Sequence, residues 1–174
     1  MGGPKTRAVA GIVAVVLAQE AVMPQIKLAG RFPDLIAGFV VAVAVTGNAE
    51  LGAVVGFAFG LIEDLFLAGP FGMSALVYTV IGYSIGLLGE TSGWSSSKFA
   101  TAVAVGVGSG LAVVGYALIG DLLGQNYMLH NGLVRTILVV ATFNLIVGSL
   151  LGGLAKWTFP RIRVTTAAER VLQR

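Results

Sequence analysis

Residues 50–72 read ELGAVVGFAFGLIEDLFLAGPFG and form the centre of an apolar stretch that extends from Pro33 to Gly86. Gly52, Gly56 and Gly60 recur every four residues, Asp64 continues the register, and Gly69-Pro70-Phe71-Gly72 breaks the run. Fourfold spacing places three small residues and one carboxylate on a single helical face. A continuous apolar run of this length is not a lipid-facing strand, because barrel strands alternate in and out over about ten residues. The stretch therefore predicts membrane helices joined by a sharp turn.

Composition extends that reading to the whole chain. Of 174 residues, 56% are hydrophobic and 11% charged, and the mean hydropathy is +0.91, far from soluble domains. Each bilayer crossing takes about 20 residues. The fold class is therefore an all-α integral membrane protein, a six-transmembrane-helix bundle in one polytopic domain over 1–174. The absence of Cys removes disulfide frameworks, thiolate metal sites and cysteine nucleophiles.

Spans are expected at about Ala8–Met23, Asp34–Val45, Glu50–Leu67, Met73–Leu88, Phe99–Leu123 and Leu133–Trp157. The first is read as a retained helix and not a signal peptide, because Gln19-Glu20 interrupts its end and Met23-Pro24-Gln25 is no small-residue cleavage site. The second is the weakest. It is short, closes at Thr46-Gly47-Asn48, and is expected to be tilted, broken or only partly inserted. Six spans put Lys5, Arg7, Lys98, Lys156, Arg161, Arg163, Arg170 and Arg174 on one side, opposed by Lys27, Arg31 and Arg135. By the positive-inside rule that side is the cytoplasm, holding a short N-terminus (1–7) and a basic tail (158–174). The tail is a topology anchor with anionic lipid head groups within reach.

Charged carboxylates at mid-bilayer are costly, so Glu63 and Asp64 are the first candidates for function. Gly69-Pro70 follows closely, which puts the pair near the extracytoplasmic interface. One carboxylate is expected to be hydrated, the other to accept donors from the turn or from the next helix's N-terminus. A proton or cation relay is the sharper alternative, but it needs further acidic or His groups at membrane depth. Arg135 is expected to snorkel or to pair with Glu63, Asp64 or Asp121. His130 has no ligand-type neighbours, Ser95-Ser96-Ser97 has no base nearby, and no phosphate loop or metal-ligand spacing occurs. The chain reads as a non-enzyme without catalytic residues, cofactor, metal or nucleic-acid partner. Trp94, Trp157 and Tyr127 fall at span ends and look like interface anchors.

No hydrophobic force drives helices together in lipid, so small-residue faces and polar groups do much of that work. The sixth span repeats the pattern with Asn144, Gly148, Gly152 and Lys156, and the fourth offers Gly82 and Gly86. Most such glycines are expected to pack the bundle internally. The candidate partner-binding set is Gly52, Gly56, Gly60, Asp64, Pro70 and Gly72, and the structural polar set is Pro33, Asp34, Glu63, Arg135 and Asn144.

Arg31-Phe32-Pro33-Asp34-Leu35, Leu51-Gly52, Gly56-Phe57, Gly60-Leu61-Ile62-Glu63-Asp64-Leu65, Gly69-Pro70-Phe71-Gly72-Met73-Ser74-Ala75-Leu76 and Gly82-Tyr83 resemble, in order and spacing, the rod shape-determining protein MreD family. Chain length, Asn144 in the last span and the basic tail extend the resemblance over most of the chain. Glu63 departs from it, since an apolar or amide residue often precedes the Asp.

The resemblance implies a non-catalytic scaffold subunit of the bacterial cell-elongation complex in the inner membrane. It implies an MreC-like bitopic partner and, through it, RodA-type glycan polymerase, a penicillin-binding transpeptidase and MreB. It also implies a fold similar to the substrate-binding component of energy-coupling-factor transporters, and a vitamin or metabolite transporter subunit is the competing function. That reading requires a ligand pocket, for which Glu63, Asp64, Tyr83, Asn126, Tyr127, His130 and Asn144 are the candidates.

Overall fold

The computed structural model describes residues 3–67, 69–92, 94, 97–124 and 132–160. Ser95-Ser96, Asn126, Tyr127, His130, Arg161, Arg163, Arg170 and Arg174, singled out above, lie outside the described residues. Six α-helices follow one another among the described residues: α1 Pro4–Leu17, α2 Leu35–Thr46, α3 Ala49–Asp64, α4 Met73–Ser92, α5 Lys98–Leu122 and α6 Leu133–Thr158. A π-helical turn, Ala18–Val22, and a 3-10 turn, Met23–Gln25, prolong α1.

Helix starts follow local chemistry. Pro4 occupies the first turn of α1, where its missing N–H costs nothing. Asp34, Asn48 and Ser97 cap α2, α3 and α5 by accepting from the N–H three residues on, at 2.8 Å from Ala37, 2.8 Å from Leu51 and 3.3 Å from Ala100.

Consecutive helices run antiparallel. Gly11 of α1 abuts Thr158, and Gln19 meets Leu35. Gly52 faces Gly82 while Gly86 faces Ala49. Val77 packs near Gly115, and Gly148 near Ala102. This alternation gathers Asp34, Glu63, Asp64 and Tyr116 at one end. Glu90, Thr101 and Thr158 lie at the other end, as does the start of α1.

Four helical stretches have span length and apolarity: Thr6–Gln25, Met73–Ser92, Lys98–Leu122 and Leu133–Thr158. The six expected helices are present among the described residues, four of them with span length once the turns that prolong α1 are counted, and the second, expected to be the weakest span, is short. At 1.5 Å per residue, the 12 residues of α2 and the 16 of α3 reach only about 18 and 24 Å, short of a hydrocarbon core of about 30 Å. The physical reason for α2 is enclosure. Every residue from Ile36 to Thr46 is buried, and α1, α3, α4, α5 and α6 all pack against it. A helix that is apolar on every side is a core element. The segment that reads as the weakest span is thus the axis of the bundle.

Candidate functional site

The α3–α4 pair is joined along a small-residue seam and stapled at both ends. A methyl on Gly52 would land on the Gly82 carbonyl, one on Gly56 on the Tyr78 carbonyl, and one on Gly60 on the Ala75 backbone. From the other side, a methyl on Gly86 would lie 2.6 Å from the Ala49 Cα. The glycine face of α3 is therefore filled within the chain by α4. Small residues allow this approach, and dispersion between the backbones holds it.

Asp64, at the end of α3, accepts from the backbone N–H groups of Gly72 at 2.9 Å, Ser74 at 3.0 Å and Ala75 at 3.3 Å. Its carboxylate caps the first turn of α4, where unpaired N–H groups and the helix dipole favour negative charge. Gly72 makes this possible with φ +95°, a conformation costly for any residue with a Cβ. Glu90, near the end of α4, returns the contact by accepting from Ala49 N–H at 2.8 Å. Each helix thus carries the cap of the other.

A second polar cluster surrounds the start of α2. The Asp34 Oδ1 caps the helix, and its Oδ2 accepts from the Tyr78 hydroxyl at 2.8 Å. Its carbonyl oxygen accepts from Asn144 Nδ2 at 2.7 Å. Gln19 Oε1, in the π-helical turn, accepts from Leu35 N–H at 2.8 Å. Asp34 and Gln19 therefore tie α1, α2, α4 and α6 together at one level. Pro33 is buried just before the cap, and Asn144 is fully buried with its amide against Gly38.

Beside this knot lies a cavity of about 170 Å³, lined by Phe32, Asp34, Glu63, Leu67, Ser74, Tyr78, Ala112, Val113, Tyr116, Thr136 and Val140. Glu63 is 8% exposed and Ser74 1%, yet Glu63 Oε2 and Ser74 Oγ have no hydrogen-bond partner among the described residues. Buried polar atoms without partners are uncommon.

The sequence-derived candidates divide accordingly. Asp34 and Glu63 converge at the cavity with Asn144 one step behind, while Asp64 joins the α4 cap. Pro70 and Gly72 form the turn between α3 and α4. Arg135 is exposed on the side of α6 that lies against Leu28 and Ala29, away from the cavity. Tyr83 is 49% exposed and takes no part. Sequence reasoning missed Tyr78, Ser74, Tyr116, Thr136, Gln19 and Glu90. The available signal was a phenol or hydroxyl inside an apolar run, which needs a partner when buried.

A family model described as rod shape-determining protein MreD matches residues 6–147, most of the chain. No curated protein and no solved structure matches.

Proposed function

The chain belongs to the rod shape-determining protein MreD family, and from that premise we propose that it is a non-catalytic scaffold subunit of the bacterial cell-elongation complex. It is a multi-pass membrane protein with a role in rod shape. In this reading it binds an MreC-like bitopic protein and through it helps to place or regulate peptidoglycan synthesis by a RodA-type polymerase and a penicillin-binding transpeptidase, in register with MreB. Both termini face the cytoplasm, consistent with their shared end of the bundle and with the basic residues there. Family membership is the observation that carries the proposal.

The α3–α4 hairpin is the proposed partner surface. Gly52, Gly56, Gly60 and Asp64 act indirectly, by locking α3 to α4 and so fixing what the hairpin presents outward. Pro70 and Gly72 shape a turn flanked by Leu65, Phe66 and Phe71, which are 71, 58 and 65% exposed. Val54 and Phe57 are exposed on the outer side of α3. Solute uptake is less favoured, because the family match points to rod shape and lends the transporter reading no support. The proposed likeness to energy-coupling-factor components therefore concerns fold alone.

A photoreactive residue at Phe57 or Phe66, crosslinked in native membranes and analysed by mass spectrometry, tests the proposal. Capture of an MreC-like bitopic protein is the expected result. Capture of an ATPase-coupled transmembrane subunit, or of neither protein, overturns it.

A further inference from the structure

The scaffold role leaves the cavity at the Asp34 end unused. Its lining combines two carboxylates, Asp34 and Glu63, with three aromatic rings, Phe32, Tyr78 and Tyr116. Asp64, next to Glu63 in the chain, has its carboxylate on the α4 cap. No Lys or Arg lines it among the described residues, and Lys27 Nζ lies 5.6 Å from the Phe32 ring centroid.

The hydrogen-bond inventory is unequal. Asp34 is satisfied by Ala37 N–H and the Tyr78 hydroxyl, whereas Glu63 Oε2 and Ser74 Oγ are both buried, unpartnered and on the cavity wall. An acidic pole with free acceptors is a costly thing to bury without a positive counterpart. The rest of the lining, Leu67, Ala112, Val113 and Val140, is aliphatic apart from Thr136, whose hydroxyl donates to the Gly132 carbonyl. That mixture matches a group with a cationic head and an apolar stem. Three or more metal-ligating side chains do not converge here among the described residues. A cavity of about 150 Å³ accommodates a group the size of benzene, so a guanidinium or ammonium on a short stem fits.

We propose that this cavity receives an organic cation, an ammonium or guanidinium on a short aliphatic stem. Glu63 Oε2 and Ser74 Oγ accept its hydrogen bonds, and the Phe32, Tyr78 and Tyr116 rings flank it. Charge-assisted hydrogen bonds and cation–π contact supply the recognition. The stem belongs either to a Lys or Arg side chain of a partner protein or to a free amine. The inference is independent of the scaffold reading, because it is measured on the purified chain alone.

The test uses the full chain in detergent, with n-butylguanidinium and n-butylammonium as probes. n-Butylurea is the neutral control, and NaCl is matched in ionic strength. The cations are expected to raise Tm saturably by mass action, and the neutral analogue is not. Glu63→Gln is expected to weaken binding about tenfold or more, as loss of a hydrogen bond to a charged group implies. Glu50→Gln, exposed near the opposite end, keeps the response of the parent. Should Glu63→Gln fail to fold, Ser74→Ala carries the same test. Equal response to n-butylurea, undiminished binding in these variants, or saturation by Na⁺ alone overturns the proposal. A photocrosslink from Leu67 in native membranes then separates the sources. A junction beside Lys or Arg in a captured peptide assigns a protein side chain, and a small amine that co-purifies assigns a free ligand.

Discussion

Asp64→Ala tests whether the carboxylate beyond the glycine seam acts first on the fold. The side chain is 7% exposed, and two of the three donors it accepts from, Ser74 and Ala75, belong to residues 1% exposed. Removing the acceptor strands both N–H groups, at about 1–3 kcal/mol each. Loss of negative charge at the start of α4 adds about 0.3–1 kcal/mol. The sum is a destabilisation of about 2–7 kcal/mol. Asp64→Asn keeps one acceptor oxygen and should lose roughly half as much. Titration of micellar protein with SDS, followed by Trp fluorescence, reads both values without any partner present. An Asp64→Ala chain within about 0.5 kcal/mol of the parent, the range of surface substitutions, would refute the capping argument. Retained stability with lost partner recovery would instead assign Asp64 to direct contact.

The same titration checks three more expectations. Gly56→Ala drives a methyl into the Tyr78 carbonyl and should cost about 1–3 kcal/mol. Gly153→Ala, with nothing within 4 Å, should be neutral or gain about 0.5–1 kcal/mol, so equal effects would undo the seam. Glu90→Gln weakens a cap that serves one N–H instead of three. It should therefore cost less than Asp64→Asn, and the reverse order would contradict the reciprocal caps. Asn144→Leu removes the bond to the Asp34 carbonyl and crowds Gly38, for a loss of about 2 kcal/mol; parental stability would show that the Asn144 bond is dispensable.

Class and helix count were legible because apolar composition and run length report directly on solvent. The polar ends of α3 were also legible, since Glu63-Asp64 followed by Gly69-Pro70 marks a helix end whatever lies beside it. Depth within the bundle was not. Lipid is as apolar as a protein core, so the run Ile36–Val45 looks the same to hydropathy whether it faces acyl chains or five other helices. The span limit was obscured for the same reason. Glycine spacing gave the face but not the neighbour: Gly52, Gly56 and Gly60 meet Gly82, Tyr78 and Ala75, a pairing that depends on the tertiary arrangement. Tyr78 was overlooked because its phenol reaches Asp34, 44 residues earlier in the chain.

The enclosure of α2 sets the order of biogenesis. About 18 Å of helix is a poor substrate for independent insertion, and its cap atoms are held by Tyr78 from α4 and Asn144 from α6. When α2 leaves the ribosome, neither of those helices has yet been made. At that point the segment has only α1 before it in the chain, and the last helix closes the wall around it. Completion of the final span is therefore the step that completes the enclosure of α2.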